Sequence, residues 1–240
     1  MKKVSHLIFV TAFAIFATFG FAKDVVPYLP VDSLPNALAF LPPPPDTNST
    51  QFVADISQYM WGKEMRKDSA RAAQAIAQAA YKTDEVMKLF SVPFGMEISK
   101  KKTPAIYNFV ERGHKTIKQI GSVVKRHYQR KRPFDRFKEP TLVPSAEEEL
   151  RGNGSYPSGH TIEAYSFALL LIEVNPAAQD ALMKFAYEWG QSRVIAGFHW
   201  QSDVDASKML VPAAFARIQG NKEFQADLKK AREEFARLKK

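Results

Sequence analysis

The stretch Gly154-Ser155-Tyr156-Pro157-Ser158-Gly159-His160 runs straight into Thr161-Ile162-Glu163-Ala164 and the apolar segment Phe167 to Ile172. Glycine, serine and proline are turn chemistry and make poor core. The run after them is too long for a typical strand and reads as helix. Ser158 therefore reads as the start of a helix reaching about Glu173, its hydroxyl suited to cap the first free N–H groups. A cap explains the serine and the glycines. It does not call for His160.

Working outward, the same helical grammar recurs. Residues from Ser49 to about Phe90 look helical, with an alanine-rich centre, until Val92-Pro93-Phe94-Gly95-Met96 breaks the pattern. A second long helix is expected from Pro104, a favourable first-turn residue, to about Arg130. Arg132-Pro133 ends it, because a residue before proline avoids α geometry. Residues 134–157 read as loop with a short helix at 146–150. Further helices are expected over 158–173, 176–193, 199–219 and 222–238. Strand signals are nearly absent, so the fold class is all-α, a compact helical bundle or array. Residues 23–45 hold seven of the fifteen prolines and end in "FLPPPP" (Phe40 to Pro45). Helix is excluded there on sequence grounds. The apolar residues between the prolines mark an extension packed on the domain of residues 46–240.

The chain has 240 residues, 45% of them hydrophobic, enough for one core. Lys2 and Lys3 precede an apolar run from Leu7 to Phe19, then Gly20-Phe21-Ala22. This is the pattern of a signal peptide over residues 1–22, cut near Ala22, with an uncleaved anchor as the alternative. The mature chain holds no integral membrane segment, so a periplasmic or secreted protein is expected. With no cysteine, disulfides, thiol catalysis and cysteine-ligated zinc are excluded. Losing the two signal lysines lowers the net charge from +9 to +7. A basic surface suits small anionic ligands, and the pattern of basic and aromatic residues that would mark nucleic-acid binding is missing.

Three places gather groups that bind oxyanions. Lys125 and Arg132 lie near one helix end. Ser158, Gly159 and His160 open another helix, where Ser158 and Gly159 would present backbone N–H groups to an anion. Arg193, His199 and Asp203 form the third. Arginine matches phosphate with a planar fork, and lysine supplies a point charge. His199 and Asp203, four apart, would share a helix face, so that the carboxylate orients the imidazole and leaves its other nitrogen free. Singly, each has a plainer reading: a solvated basic pair, a helix cap, a structural ion pair.

In order they spell Lys125-x6-Arg132-Pro133, Pro157-Ser158-Gly159-His160 and Ser192-Arg193-x5-His199-x3-Asp203. This resembles the three-part signature of the type 2 phosphatidic acid phosphatase and vanadium haloperoxidase superfamily. "FLPPPP", "GSYPSGHT" and "HWQSDVDA" are similar to the bacterial class A non-specific acid phosphatases within it. The resemblance implies hydrolysis of small phosphomonoesters through a phosphohistidine, without metal or other cofactor. It assigns His199 as nucleophile, Asp203 as its orienting carboxylate and His160 as general acid. Lys125, Arg132 and Arg193 would hold the phosphoryl oxygens, with Ser158 and Gly159 adding contacts. The mechanism asks for a neutral His199 and a protonated His160. A homodimer or larger homo-oligomer is compatible with the family. The alternatives are a vanadium-dependent haloperoxidase, a soluble lipid phosphatase and a non-catalytic phosphate-binding module. His114 and His127 read as surface residues. Glu163 reads as a surface acid favoured by the helix dipole, with a cleft-facing side chain as the other reading.

Overall fold

The computed structural model describes residues 25–239, so the signal peptide read over 1–22 lies outside the described residues. Among them there is no strand, and the fold is all-α. The helices are α1 (Ala37–Phe40), α2 (Thr50–Met65), α3 (Ser69–Ala77), α4 (Thr83–Phe94) and α5 (Pro104–Tyr128). They continue with α6 (Pro133–Phe137), α7 (Glu147–Arg151), α8 (Gly159–Val174), α9 (Gln179–Ile195), α10 (Gln201–Ile218) and α11 (Lys222–Leu238).

Helix α8 is the axis, packed by α5, α9, α10 and α11. Its apolar residues run round the whole helix rather than along one stripe, as expected of an element buried on all sides. Phe90 of α4 packs on Phe167 of α8 and stacks on Trp189 of α9. Glycine lets α5 approach α8 closely. A Cβ on Gly113 would stand 2.6 Å from a Leu170 methyl, and one on Gly121 would stand 2.3 Å from Ile162 Cδ1.

Several boundaries differ from the sequence reading. The run from Ser49 to Phe90 is three helices, because Asp68 accepts from the N–H groups of Ala70 and Arg71 and starts α3 anew. Helix α4 continues through Pro93 and stops at Gly95, whose φ of 80° is left-handed. Proline is tolerated there because only its last turn is affected. The proline-rich segment is not free of helix as its prolines suggest: Val31–Ser33 forms a 3-10 turn, and Asn36 caps the short helix α1 in the proline-free stretch before Leu41. Its residues Tyr28, Leu34, Ala37 and Leu41 are buried in the main core. Among the described residues, no helix is long and apolar enough to cross a membrane.

Candidate active site

Two small aromatic clusters hold the ends of the helices that build the site. Phe52, Tyr59 and Trp200 pack behind the start of α10, and Phe134, Ala196 and Phe198 behind the end of α9. Between them the chain turns from α9 into α10 and presents His199. This residue precedes α10, so it and Asp203 do not share a helix face as the spacing suggests. Instead Asp203 sits in the first turn and its carboxylate reaches back to the Trp200 N–H at 2.9 Å, half of a capping box. The same oxygen, Oδ2, lies 3.2 Å from His199 Nδ1.

The tautomer of His199 follows from its neighbours. Arg132 Nη1 lies 3.1 Å from His199 Nε2. A guanidinium only donates, so Nε2 is the acceptor and Nδ1 carries the proton toward Asp203. Burial, with the cations Arg132, Lys125 and Arg193, holds the imidazole well below its usual pKa and therefore neutral. A neutral ring with a lone pair on Nε2 is a competent nucleophile.

Arg132 is anchored by the carbonyls of Leu150, Asn153 and Phe198. Lys125, in the last turn of α5, donates to Gly154 O at 2.6 Å and Pro157 O at 2.9 Å. It thus ties the opening loop to α5. Burial, then the nearby Arg132, pushes its pKa down to about 7. Arg193 is buried, donates from Nη1 to Gln78 O at 2.8 Å, and leaves Nε and Nη2 without partners. A fully desolvated guanidinium with unpaired donors is costly unless an anion meets it.

Ser158 caps α8 by accepting from the Thr161 N–H. Its own N–H donates to Asp203 O at 3.0 Å, so that group is not offered to a ligand as the sequence suggested. Gly159 does line the cavity, with Lys125, Arg132, His160, Arg193 and His199, around a space of about 200 Å³. His160 Nε2 lies 3.3 Å from Ala79 O, and a carbonyl only accepts, so Nε2 donates. Burial, followed by Arg193 and His199, pushes the His160 pKa well below its usual value. The ring is therefore neutral, unlike the protonated state the mechanism asks for.

The sequence reading missed Arg130 and Asp55. Arg130 donates to Asp203 Oδ1 at 2.6 Å and to Asp55 Oδ2 at 2.7 Å, and Asp55 accepts from the Ser202 N–H at 2.8 Å. This network locks the first turn of α10 to α2. It also missed the carbonyls of Gln78 and Ala79. Two corrections concern the flank of the site. His114 is buried, not on the surface, with its ring edge-on to Phe167. Glu163 is also buried, and it faces a cavity beside His160. His127 is exposed. Among the described residues, no group of three or more His, Asp or Glu side chains is placed to hold a metal ion.

Residues 116–218 match the PAP2 superfamily. The chain is 38% identical to a non-specific acid phosphatase of Providencia stuartii, with 100% of both chains covered. It is 37% identical to one from Salmonella typhimurium, over 92% of this chain and 88% of the relative. It is also 30% identical to an acid phosphatase of Zymomonas mobilis, over 84% of this chain and 76% of that one.

Proposed function

The chain belongs to the PAP2 superfamily and, within it, to the non-specific acid phosphatases, and from that premise we propose a metal-free, exported acid phosphatase that works through a phosphohistidine on small phosphomonoesters. The observation that carries the reading is the pairing of a neutral His199, its Nε2 lone pair free of a proton, with a buried Arg193 whose Nε and Nη2 lack partners. One group attacks phosphorus and the other meets the oxygens.

In the first step His199 Nε2 forms a bond to phosphorus as the ester oxygen leaves. His160 gives that oxygen a proton. In the second step water attacks the phosphohistidine and neutral His160 takes the water proton, then gives it to the departing phosphate, which leaves as a monoanion and restores neutral His160 and free His199. Lys125, Arg132 and Arg193 stabilise the charge on the equatorial oxygens, with Gly159 at the start of α8. They supply the charge stabilisation a divalent metal provides elsewhere. His160 is neutral beside these cations, so its proton is supplied with the substrate. A phosphate monoester enters acidic solution as a monoanion, since its second pKa is about 6. Its charge also offsets the arginines that depress His160.

Wild type quenched during turnover should carry acid-labile phosphate on His199, and His199→Ala should carry none and be inactive. Label on any other residue would overturn the assignment. Export is supported by the signal pattern over residues 1–22. Its check is a mature N-terminus near Lys23 in the periplasmic or extracellular fraction.

A further inference from the structure

The geometry points to a second lobe of the cleft, walled by His114, Lys118 and Ser122 of α5 and Glu163 of α8, as the subsite for a hydroxyl-bearing leaving group, the alcohol half of a sugar or polyol phosphate. This rests on the phosphatase reading above and adds a substrate class to it.

The lobe has a volume of about 350 Å³ and shares Tyr81, Lys125, Asn153, Gly159 and His160 with the phosphate cavity. His160 thus stands between the two spaces. If it protonates the departing oxygen, the alcohol it releases must lie on its side of the cleft. Residues 114, 118 and 122 follow one another at four-residue steps along α5. Their side chains therefore stand in one row facing α8.

Glu163 and His114 are the unusual members. Their exposures are 8% and 7%, and the His114 ring lies edge-on to Phe167. Glu163 Oε1 and His114 Nε2 are 3.6 Å apart, too far for a hydrogen bond, and His114 Nδ1 has no partner at all. A buried carboxyl and imidazole with unmet hydrogen-bonding capacity cost stability where an isoleucine would pack. Both residues line the lobe, and the Glu163 carboxyl, without a hydrogen-bond partner of its own, is the group that a ligand there would meet.

The chemistry selects the ligand. Burial pushes the Glu163 carboxyl up to about 8 and the His114 imidazole down to about 3, so in acid both groups are neutral. A protonated carboxyl donates and accepts one hydrogen bond each, and so does an alcohol. Lys118 and Ser122 add donors at the exposed mouth. Tyr81 gives a flat exposed ring against which the C–H face of a sugar can lie.

The test compares glucose 6-phosphate with cyclohexylmethyl phosphate. Both have a six-membered ring and a primary alkyl leaving group, but the second has no hydroxyls. Wild type should show a KM for the sugar phosphate lower by roughly tenfold, the effect of one or two hydrogen bonds between neutral groups. Glu163→Leu should erase most of that KM ratio, and Glu163→Gln, which still donates and accepts, should keep most of it. Equal KM values in wild type would overturn the subsite. So would a Glu163→Leu variant that changes both substrates in the same proportion, since that marks a purely structural pair. Should Glu163→Leu fail to fold, Lys118→Ala and Ser122→Ala, at exposed positions, carry the same readout. If neither ester is hydrolysed by wild type, the phosphatase reading itself falls.

Discussion

A lysine taken out of water gives up its proton more easily, and Lys125 sits where this matters. Its pKa of about 7 means that the ammonium is present below that pH and lost as pH rises through it. On the proposed reading this charge holds the phosphoryl group, so kcat/KM, which reports the free enzyme, should fall above pH 7. Lys125→Arg keeps its charge far higher and should shift this limb upward by a unit or more. Ionisation of the substrate is common to both proteins and cancels in the comparison. An unshifted limb would assign it elsewhere. His160 invites a different measurement. His160→Ala should slow an alkyl phosphate by about 10²–10⁴-fold, the usual worth of general acid catalysis. It should slow para-nitrophenyl phosphate far less in the burst of product release, because that leaving group needs no proton. Equal losses for both esters would make His160 a phosphate-positioning residue.

At the scale of elements, the close crossing of α5 over α8 sets the width of the cleft. Gly121→Ala would push a methyl to within 2.3 Å of Ile162 Cδ1. Overpacking of this kind costs about 1–3 kcal/mol. Ile162→Val removes the offending carbon, so the double variant should recover much of the loss in thermal unfolding. Strict additivity of the two changes would show that the helices move apart instead. The elements also show what local pattern can reveal. The starts of α5 and α8 were legible because Pro104 suits a first turn and Ser158 carries its own capping chemistry. The pairing of His199 with Asp203 was legible from spacing, yet its cause was not. It comes from a reach-back at the start of α10, which depends on where that helix begins. Arg130, Asp55 and the inward turn of His114 and Glu163 depend on the register of α5, α2 and α8 against one another. No single segment encodes that register.

For the whole molecule, the cavity proposed to hold phosphate gathers its charge from three distant parts of the chain without a metal-binding cluster among the described residues. Activity should therefore survive excess EDTA, and a loss that zinc or magnesium restores would sink the metal-free reading. The all-α architecture was legible from the apolar stripes of α5 and α11 and from the near absence of strand signals, whereas α8, apolar on all sides, shows no stripe. The division of 49–90 into three helices was masked by good helix formers at each junction. One connection has a wider bearing. The loop between α3 and α4 meets Arg193 through Gln78 O and His160 through Ala79 O. Both links are main chain, whereas the side chains of Ala79 and Tyr81 face the ligand space. Inherited changes at these two positions can reshape the rim while the bonds to the reactive residues persist. Lineages of this protein can thus drift in diet, from one phosphoester to another, without reinventing the chemistry.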